Sequence, residues 1–231
     1  MGRSRLLALG AAVLMLTGCS GSLIAVDGPA PIPEETKYIA LTFDDGPRRA
    51  TTQRLLEGLR ERGASATFFV VGEEIPGNED LLERMLAEGH QVGNHTWSHV
   101  RLDDAVSGAQ ELRRTEEALR SALGEEGFWI RPPYGAVPEE MTVDVPLVKW
   151  SIDPRDWERR DTAQVVRSVL GAAKPNGIIL LHDIYPTSVD AALQIVDALQ
   201  AEGYWFVTVE ELLRLNGIEP QPGVLYRNGA G

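Results

Sequence analysis

Seven short runs rich in β-branched and aromatic residues recur along the chain, and each predicts a strand: Tyr38 to Phe43, Thr67 to Val71, Gln91 to Gly93, Phe128 to Arg131, Leu147 to Ser151, Gly177 to Leu181 and Tyr204 to Val207. Between most of them the apolar positions change to the helical period. Leu55, Leu56 and Leu59 share one face; Leu81, Leu82, Met85 and Leu86 share another, with Asn78 near its start and Gly89 at its end. Ser107 to Leu123, Thr162 to Ala172 and Val189 to Glu202 are helical by the same criterion, and Thr208 with Glu211 predicts a capping box opening a last helix.

Strands alternating with helices predict an α/β fold with parallel pairing, because each return to the same end of a sheet needs a crossover of a dozen or more residues. Seven strands point to a closed or nearly closed barrel, although an open doubly wound sheet satisfies the same local pattern. The 15 residues between Arg131 and Leu147 include Pro132, Pro133, Pro138 and Pro146, which leaves room for at most a turn or two of helix.

The first residues carry a different pattern. Arg3 and Arg5 precede an apolar run from Leu6 to Leu16, too short for a membrane span, which takes roughly 20 residues, and suited to a secretory signal. Cys19 is the only cysteine, so it cannot form an intramolecular disulfide. Leu16-Thr17-Gly18-Cys19 resembles the bacterial lipobox, which implies cleavage before Cys19 and acylation of its sulfur. An incidental thiol in an ordinary signal peptide is the alternative. The expected organisation is a signal over 1–18, a tether over 19–36 rich in Gly, Ser, Pro and Glu, and one catalytic domain over 37–231. The expected location is the bacterial cell envelope, with the secreted protein held at a membrane by its lipid. Removing residues 1–18 leaves 20 basic against 34 acidic side chains, a formal charge of −14, which argues against nucleic acid as a partner.

Polar residues that a core would not want fall at the ends of the predicted strands. Asp44 and Asp45 follow the first, His95 and His99 the third, Arg131 ends the fourth, Asp153 and Asp156 follow the fifth, and His182 ends the sixth. In a parallel barrel these ends share one rim, so residues distant in sequence converge on one mouth. His95 and His99, four apart, can direct two imidazoles at one ion, and a rim carboxylate would complete a three-ligand set with open positions. Taken singly, each feature has an ordinary reading. The histidine pair suits a surface, Asp44-Asp45-Gly46-Pro47 suits a turn, and His182 and His90 suit a core.

Taken together, Thr42-Phe43-Asp44-Asp45-Gly46-Pro47, His95-Thr96-Trp97-Ser98-His99, Arg131-Pro132-Pro133-Tyr134, Asp153-Pro154-Arg155-Asp156-Trp157 and Leu180-Leu181-His182 resemble the five ordered motifs of the polysaccharide deacetylase family, carbohydrate esterase family four, the NodB-homology domain. The resemblance covers roughly residues 37 to 215. It implies a distorted (β/α) barrel of about seven parallel strands, with Asp45, His95 and His99 as metal ligands and Asp44 as catalytic base. It further implies that Arg131 holds Asp44, that the backbone amide of Tyr134 helps form an oxyanion hole, and that Asp156 orients His182 as general acid. Trp157 and Leu180 would wall the acetyl pocket. One divalent cation is implied, with zinc the first choice and cobalt, nickel or iron compatible with the same ligands. The implied substrate is an acetylated polysaccharide or oligosaccharide, whether peptidoglycan, a chitin-like polymer or an exported matrix glycan, that loses N-acetyl groups from its amino sugars. An esterase removing O-acetyl groups from a glycan such as xylan, or a glycan-binding lipoprotein without catalysis, are the alternatives. The short stretch from Gly135 to Pro146 departs from the family, whose members usually place a longer connection with a helix there.

Overall fold

Alternating residues of the first strand, β1 (Lys37–Asp44), face two different environments, and this period of two organises the fold. Ile39, Leu41 and Phe43 pack outward with helix residues such as Leu55, Leu56, Val189 and Ile195. Ala40 packs inward with Phe69, Trp129 and Ile178, while Thr42 and Asp44, above it on the same face, meet the guanidinium of Arg131. The computed structural model of the chain describes residues 36–230 apart from 139. The lipobox, Cys19 and nearly all of the expected tether lie outside the described residues.

The order along the chain is β1, α1 (Arg49–Glu61), β2 (Thr67–Val70), α2 (Glu79–Ala87), β3 (Gln91–Asn94), α3 (Ala105–Leu123), β4 (Leu147–Val148), α4 (Asp156–Arg159), α5 (Thr162–Ala172), β5 (Ile178–His182), α6 (Pro186–Ala201), β6 (Tyr204–Val207), α7 (Val209–Leu215) and β7 (Leu225–Tyr226). Every strand pairing is parallel. The sheet runs β3-β2-β1-β5, and β6 pairs the first half of β1. Single bridges carry the ring round the remaining side: Asn94 to Ile130, Ile130 to Leu147, and Ile152 to Ile179. This is the expected barrel, strongly distorted.

Two predicted strands shrink. Phe128 to Arg131 survives as the one bridge at Ile130, and Leu147 to Ser151 as the two residues of β4 with a bridge at Ile152. Prolines explain the loss, because Pro132, Pro133 and Pro146 have no N–H to donate to a ladder. Closure nevertheless holds, since Ile130 N–H donates to Pro146 O at 3.1 Å and Val148 N–H to Ile130 O at 2.8 Å. Among its described residues the proline-rich connection contributes a single 3₁₀ turn, Pro133–Gly135, and no α-helix. Strand β7, which pairs with β4, had no counterpart among the predicted runs.

Helix starts follow their caps more than their hydrophobic stripes. Asp104 accepts from the N–H groups of Val106 and Ser107, so α3 begins two residues before the predicted Ser107. Pro186 occupies the first turn of α6, ahead of the predicted Val189, where its missing N–H costs nothing. The predicted capping box of Thr208 and Glu211 is present in full. It starts α7, whose Val209, Leu212 and Leu213 pack among the inward residues, with Val209 N–H donating to Thr67 at the first residue of β2. The end of the barrel where the strands begin is therefore closed by hydrocarbon, and polar side chains are left to the end where they finish.

Candidate active site

The carboxyl ends of the strands bring Asp44, Asp45, His95, His99, Tyr134, Trp157, Leu180 and His182 around one cavity of about 370 Å³. Arg131 and Asp156 stand behind it, each 0% exposed. The structure thus brings these ten residues together. His90 stands apart, buried just before β3, where it accepts the Ala66 N–H on Nδ1 and is held neutral by burial, which lowers its pKa to about 4.

The strand ends alone do not aim these groups; unusual backbone does. Asp45, Thr96, His99 and Tyr134 all have positive φ, between 56° and 73°. Such conformations cost of order 1–3 kcal/mol each in a residue with a side chain, so the surroundings must enforce them. Asn94 does so for Thr96, whose N–H it accepts on Oδ1 at 2.9 Å, while Glu111 accepts both the N–H and the hydroxyl of Ser98. The His95-to-His99 segment is consequently a loop rather than a helical turn.

Asp45, His95 and His99 form the one group among the described residues whose donor atoms, all within 4.8 Å of one another, could hold a metal ion. Asp45 Oδ1 lies 3.6 Å from His95 Nε2 and 3.2 Å from His99 Nε2. Donors bonded at about 2.0–2.1 Å in a tetrahedron are roughly 3.3 Å apart, so the spacing fits a divalent cation. Two further observations agree. Asp45 Oδ1 is buried with no hydrogen-bond partner, and His95 Nδ1 donates to the Arg131 carbonyl at 2.6 Å, which leaves Nε2 as a lone pair facing the group. Burial also lowers the His95 pKa despite the nearby carboxylates, favouring the neutral, ligating form. Alanine at His99 should abolish stoichiometric zinc uptake in a calorimetric titration while leaving the melting temperature of the metal-free protein within about 2 °C, since His99 is partly exposed.

Asp44 and His182 flank this group. Asp44 Oδ1 accepts from Arg131 Nη1 at 2.8 Å; the same nitrogen reaches Thr42 Oγ1 at 2.7 Å, and Nη2 donates to Lys149 O at 2.9 Å. Burial by itself would raise the Asp44 pKa, yet the charges of Arg131, His95 and His182 bring it below the usual carboxylate range. On the other flank His182 Nδ1 donates to Asp156 Oδ1 at 2.9 Å, while Asp156 Oδ2 accepts from His182 N–H and from Ser188 Oγ. Burial opposes charge on His182, but Asp156, with Asp44 and Asp45 adding, carries its pKa up to about 9. The site thus pairs a carboxylate kept ionised with an imidazolium kept protonated at neutral pH.

This geometry agrees with what the chain resembles. The sequence profile of the polysaccharide deacetylase family matches residues 32–145. The chain is 37% identical over 191 residues to the chitooligosaccharide deacetylase of Rhizobium leguminosarum bv. trifolii, covering 74% of this chain and 89% of that one. The chain belongs to the polysaccharide deacetylase family. It is also 39% identical over 196 residues to the peptidoglycan-N-acetylmuramic acid deacetylase of Bacillus subtilis, covering 82% of this chain but only 42% of that protein. The chain thus spans about two fifths of the length of such peptidoglycan deacetylases. Among solved structures, a deacetylase with substrate superposes with a TM-score of 0.78 at 42% identity, covering 83% of this chain and 96% of the other. A family 4 acetyl xylan esterase from Clostridium thermocellum with cobalt gives 0.78 at 30% identity, covering 83% and 98%.

Sequence reasoning passed over one buried acid beside the site. Asp183, directly after His182, is 1% exposed; its carboxylate accepts from the Thr52 hydroxyl and lies against Gly46, where any Cβ would collide with it. An aspartate ending an apolar strand beside a histidine was the available signal. Burial pushes its carboxyl up to about 7, with the charge of Asp45 adding and the Thr52 bond opposing. A carboxyl raised above its ordinary 3.8 gives stability that is complete below that value and is lost as pH climbs towards 7. In metal-free protein, Asp183→Asn should therefore remove a fall in melting temperature between about pH 4 and 7, measured against wild type in the same buffers. Parallel curves for the two proteins would show that the proton is elsewhere.

Proposed function

We propose that this chain hydrolyses N-acetyl groups from amino sugars of a polysaccharide, peptidoglycan or a chitin-like polymer, releasing acetate and leaving a free amine. The observation that carries this is the placement of Asp44, clamped by Arg131, and His182, oriented by Asp156, on either side of the Asp45, His95 and His99 group. The peptidoglycan and chitooligosaccharide deacetylases it resembles support the choice of substrate.

An acetamide resists attack because its carbonyl is a weak electrophile and its nitrogen leaves badly. A divalent cation held by Asp45, His95 and His99, zinc by preference and cobalt, nickel or iron by the same donor set, would polarise the acetyl carbonyl and make a water molecule easier to deprotonate. Asp44 takes the proton of the attacking water, and its ionised state suits it to that step. The backbone N–H of Tyr134 stabilises the negative charge that develops on the carbonyl oxygen, while Trp157 and Leu180 wall the methyl group. His182, protonated through the pull of Asp156, gives its Nε2 proton to the nitrogen as the C–N bond breaks. For His182→Ala, amide hydrolysis should fall about a hundredfold or more, whereas an activated acetate ester, whose leaving group needs little protonation, should lose much less. Equal losses on both would remove the acid role.

The deciding measurement is acetate release by metal-loaded protein from N-acetylated and O-acetylated glycans side by side. Release from the N-acetyl substrates is expected. Release from O-acetyl groups alone would make it an esterase, the reading that its likeness to an acetyl xylan esterase favours. Binding of glycan without release from either would make it a binding protein. We also infer a signal over 1–18, a tether over 19–36 and a lipid on Cys19 that holds the catalytic domain at a membrane of the cell envelope, a reading supported by the Leu16 to Cys19 motif and by the run before it. Mature protein with an unmodified Cys19 in its mass spectrum would remove it.

A further inference from the structure

The proton that His182 delivers goes to the nitrogen that stays on the sugar, so a side chain standing against His182 inside the cavity faces the sugar, while Trp157 and Leu180 face the acetyl methyl. Tyr185 has that place. It lines the cavity, and its ring centre lies 6.3 Å from that of His182 at a tilt of 45°. Core packing does not account for the ring, because Tyr185 joins none of the three apolar clusters found among the described residues. The start of α6 does not account for it either. Only the Tyr185 carbonyl serves there, accepting from the N–H groups of Ser188 and Val189.

The ring is nevertheless fixed. Arg160 lays its guanidinium on it, with Cζ 3.3 Å from the ring centre, and Nε of the same side chain donates to Trp157 O at 2.6 Å. Arg160 closes α4 with a positive φ of 48°, and its own N–H bonds Asp156 O. One short helix and its closing residue therefore carry Asp156, which orients His182, Trp157, which walls the acetyl pocket, and the arginine that holds Tyr185. A guanidinium on one face of the ring is a cation–π contact, and it leaves the opposite face as the surface the ring contributes to the cavity. Such a surface suits the C–H face of a pyranose, whose ring hydrogens carry partial positive charge and match the negative face of the aromatic quadrupole.

Resting on the deacetylase reading, we propose that Tyr185 is the platform on which the sugar losing its acetyl group stacks, and that Arg160 is the residue that positions this platform. Tyr185 touches the carbohydrate and contributes to its capture; Arg160 acts only through Tyr185. The acetyl group is then recognised on the Trp157 side and the sugar ring on the Tyr185 side, with the scissile C–N bond between them. A substrate without a sugar ring makes no use of Tyr185.

The test sets a tetrasaccharide of N-acetylglucosamine against an activated acetate ester that has no sugar, both with zinc-loaded enzyme. Tyr185→Leu should lower kcat/KM for the tetrasaccharide about tenfold, chiefly through KM, and leave the ester within about twofold of wild type. Tyr185→Phe, which keeps the ring and loses the hydroxyl, should stay within about twofold on both substrates. Arg160→Gln should fall between wild type and Tyr185→Leu on the tetrasaccharide alone; because it leaves Tyr185 in place, it keeps the test open if Tyr185→Leu melts early. Calorimetric binding of the tetrasaccharide to Asp44→Asn protein, with and without Tyr185→Leu, reads the platform without turnover, so failure of the deacetylase reading would not hide the result. Equal binding in those two proteins, or no binding in either, would overturn the proposal. So would a loss confined to kcat, a loss shared by the ester, or a Tyr185→Phe variant as damaged as Tyr185→Leu.

Discussion

Replacing Asp44 by asparagine should lower kcat by about a hundredfold to ten-thousandfold, the usual range for loss of a positioned general base, while zinc content stays at wild-type level. The two halves of that outcome come from different residues. Asp45, His95 and His99 supply the donor group, and Asp44 is not needed to assemble it. Asparagine preserves the size of the side chain and an oxygen for Arg131 Nη1, but it cannot accept a proton from water. Elemental analysis and steady-state kinetics on an N-acetylated oligosaccharide check both halves. Turnover at the wild-type rate would refute the base assignment, and lost zinc would show that Asp44 belongs to the metal group.

The largest effect on stability should come from Arg131→Met. Arg131 is 0% exposed, stacks 4.2 Å from the centre of the Phe69 ring and is the buried cation bonded to Asp44. Methionine removes the charge but leaves the carboxylate inside, and breaking a buried pair from one side costs about 3–5 kcal/mol. At about 2–4 °C per kcal/mol for a domain of this size, the melting temperature should fall by roughly 6–20 °C. A second consequence separates lost charge from lost packing. Without Arg131, burial dominates at Asp44, its pKa rises, and the acidic limb of the pH-rate profile should move to higher pH. Since a depressed carboxylate contributes stability above its unfolded value that disappears only in acid, the wild type should also resist acid further than the variant. A variant melting within 2 °C of wild type with an unmoved acidic limb would show that the pair matters little.

Much of the architecture could be read from local pattern. The β-branched and aromatic runs Tyr38 to Phe43 and Gly177 to Leu181, set against the helical period of α1, α3, α5 and α6, placed the elements that pair in register as β1 and β5. The reading failed where the chain is least periodic. Phe128 to Arg131 has strand composition, but the prolines beside it leave one bridge, and Leu225–Tyr226 is too short to stand out from its surroundings.

At the site, residue types were legible in the chain itself, whereas the pairing of Arg131 with Asp44 and of Asp156 with His182 was implied only by the family resemblance, and that of Thr52 with Asp183 by neither. An aspartate pair, a histidine pair and a lone histidine at strand ends were visible as chemistry without a core role. That Arg131 bonds Asp44, 87 residues away, or that Thr52 bonds Asp183, 131 residues away, depends on how the strands stack around the ring. The amino-acid order by itself determined which side chains could reach one rim, because strand direction and a repeat of two are local properties. Only the folded barrel decided which of them touch and which oxygen of Asp45 is left without a hydrogen-bond partner. Those outcomes turn on distances of a few ångströms between segments brought together by twist and closure, and no local pattern encodes them.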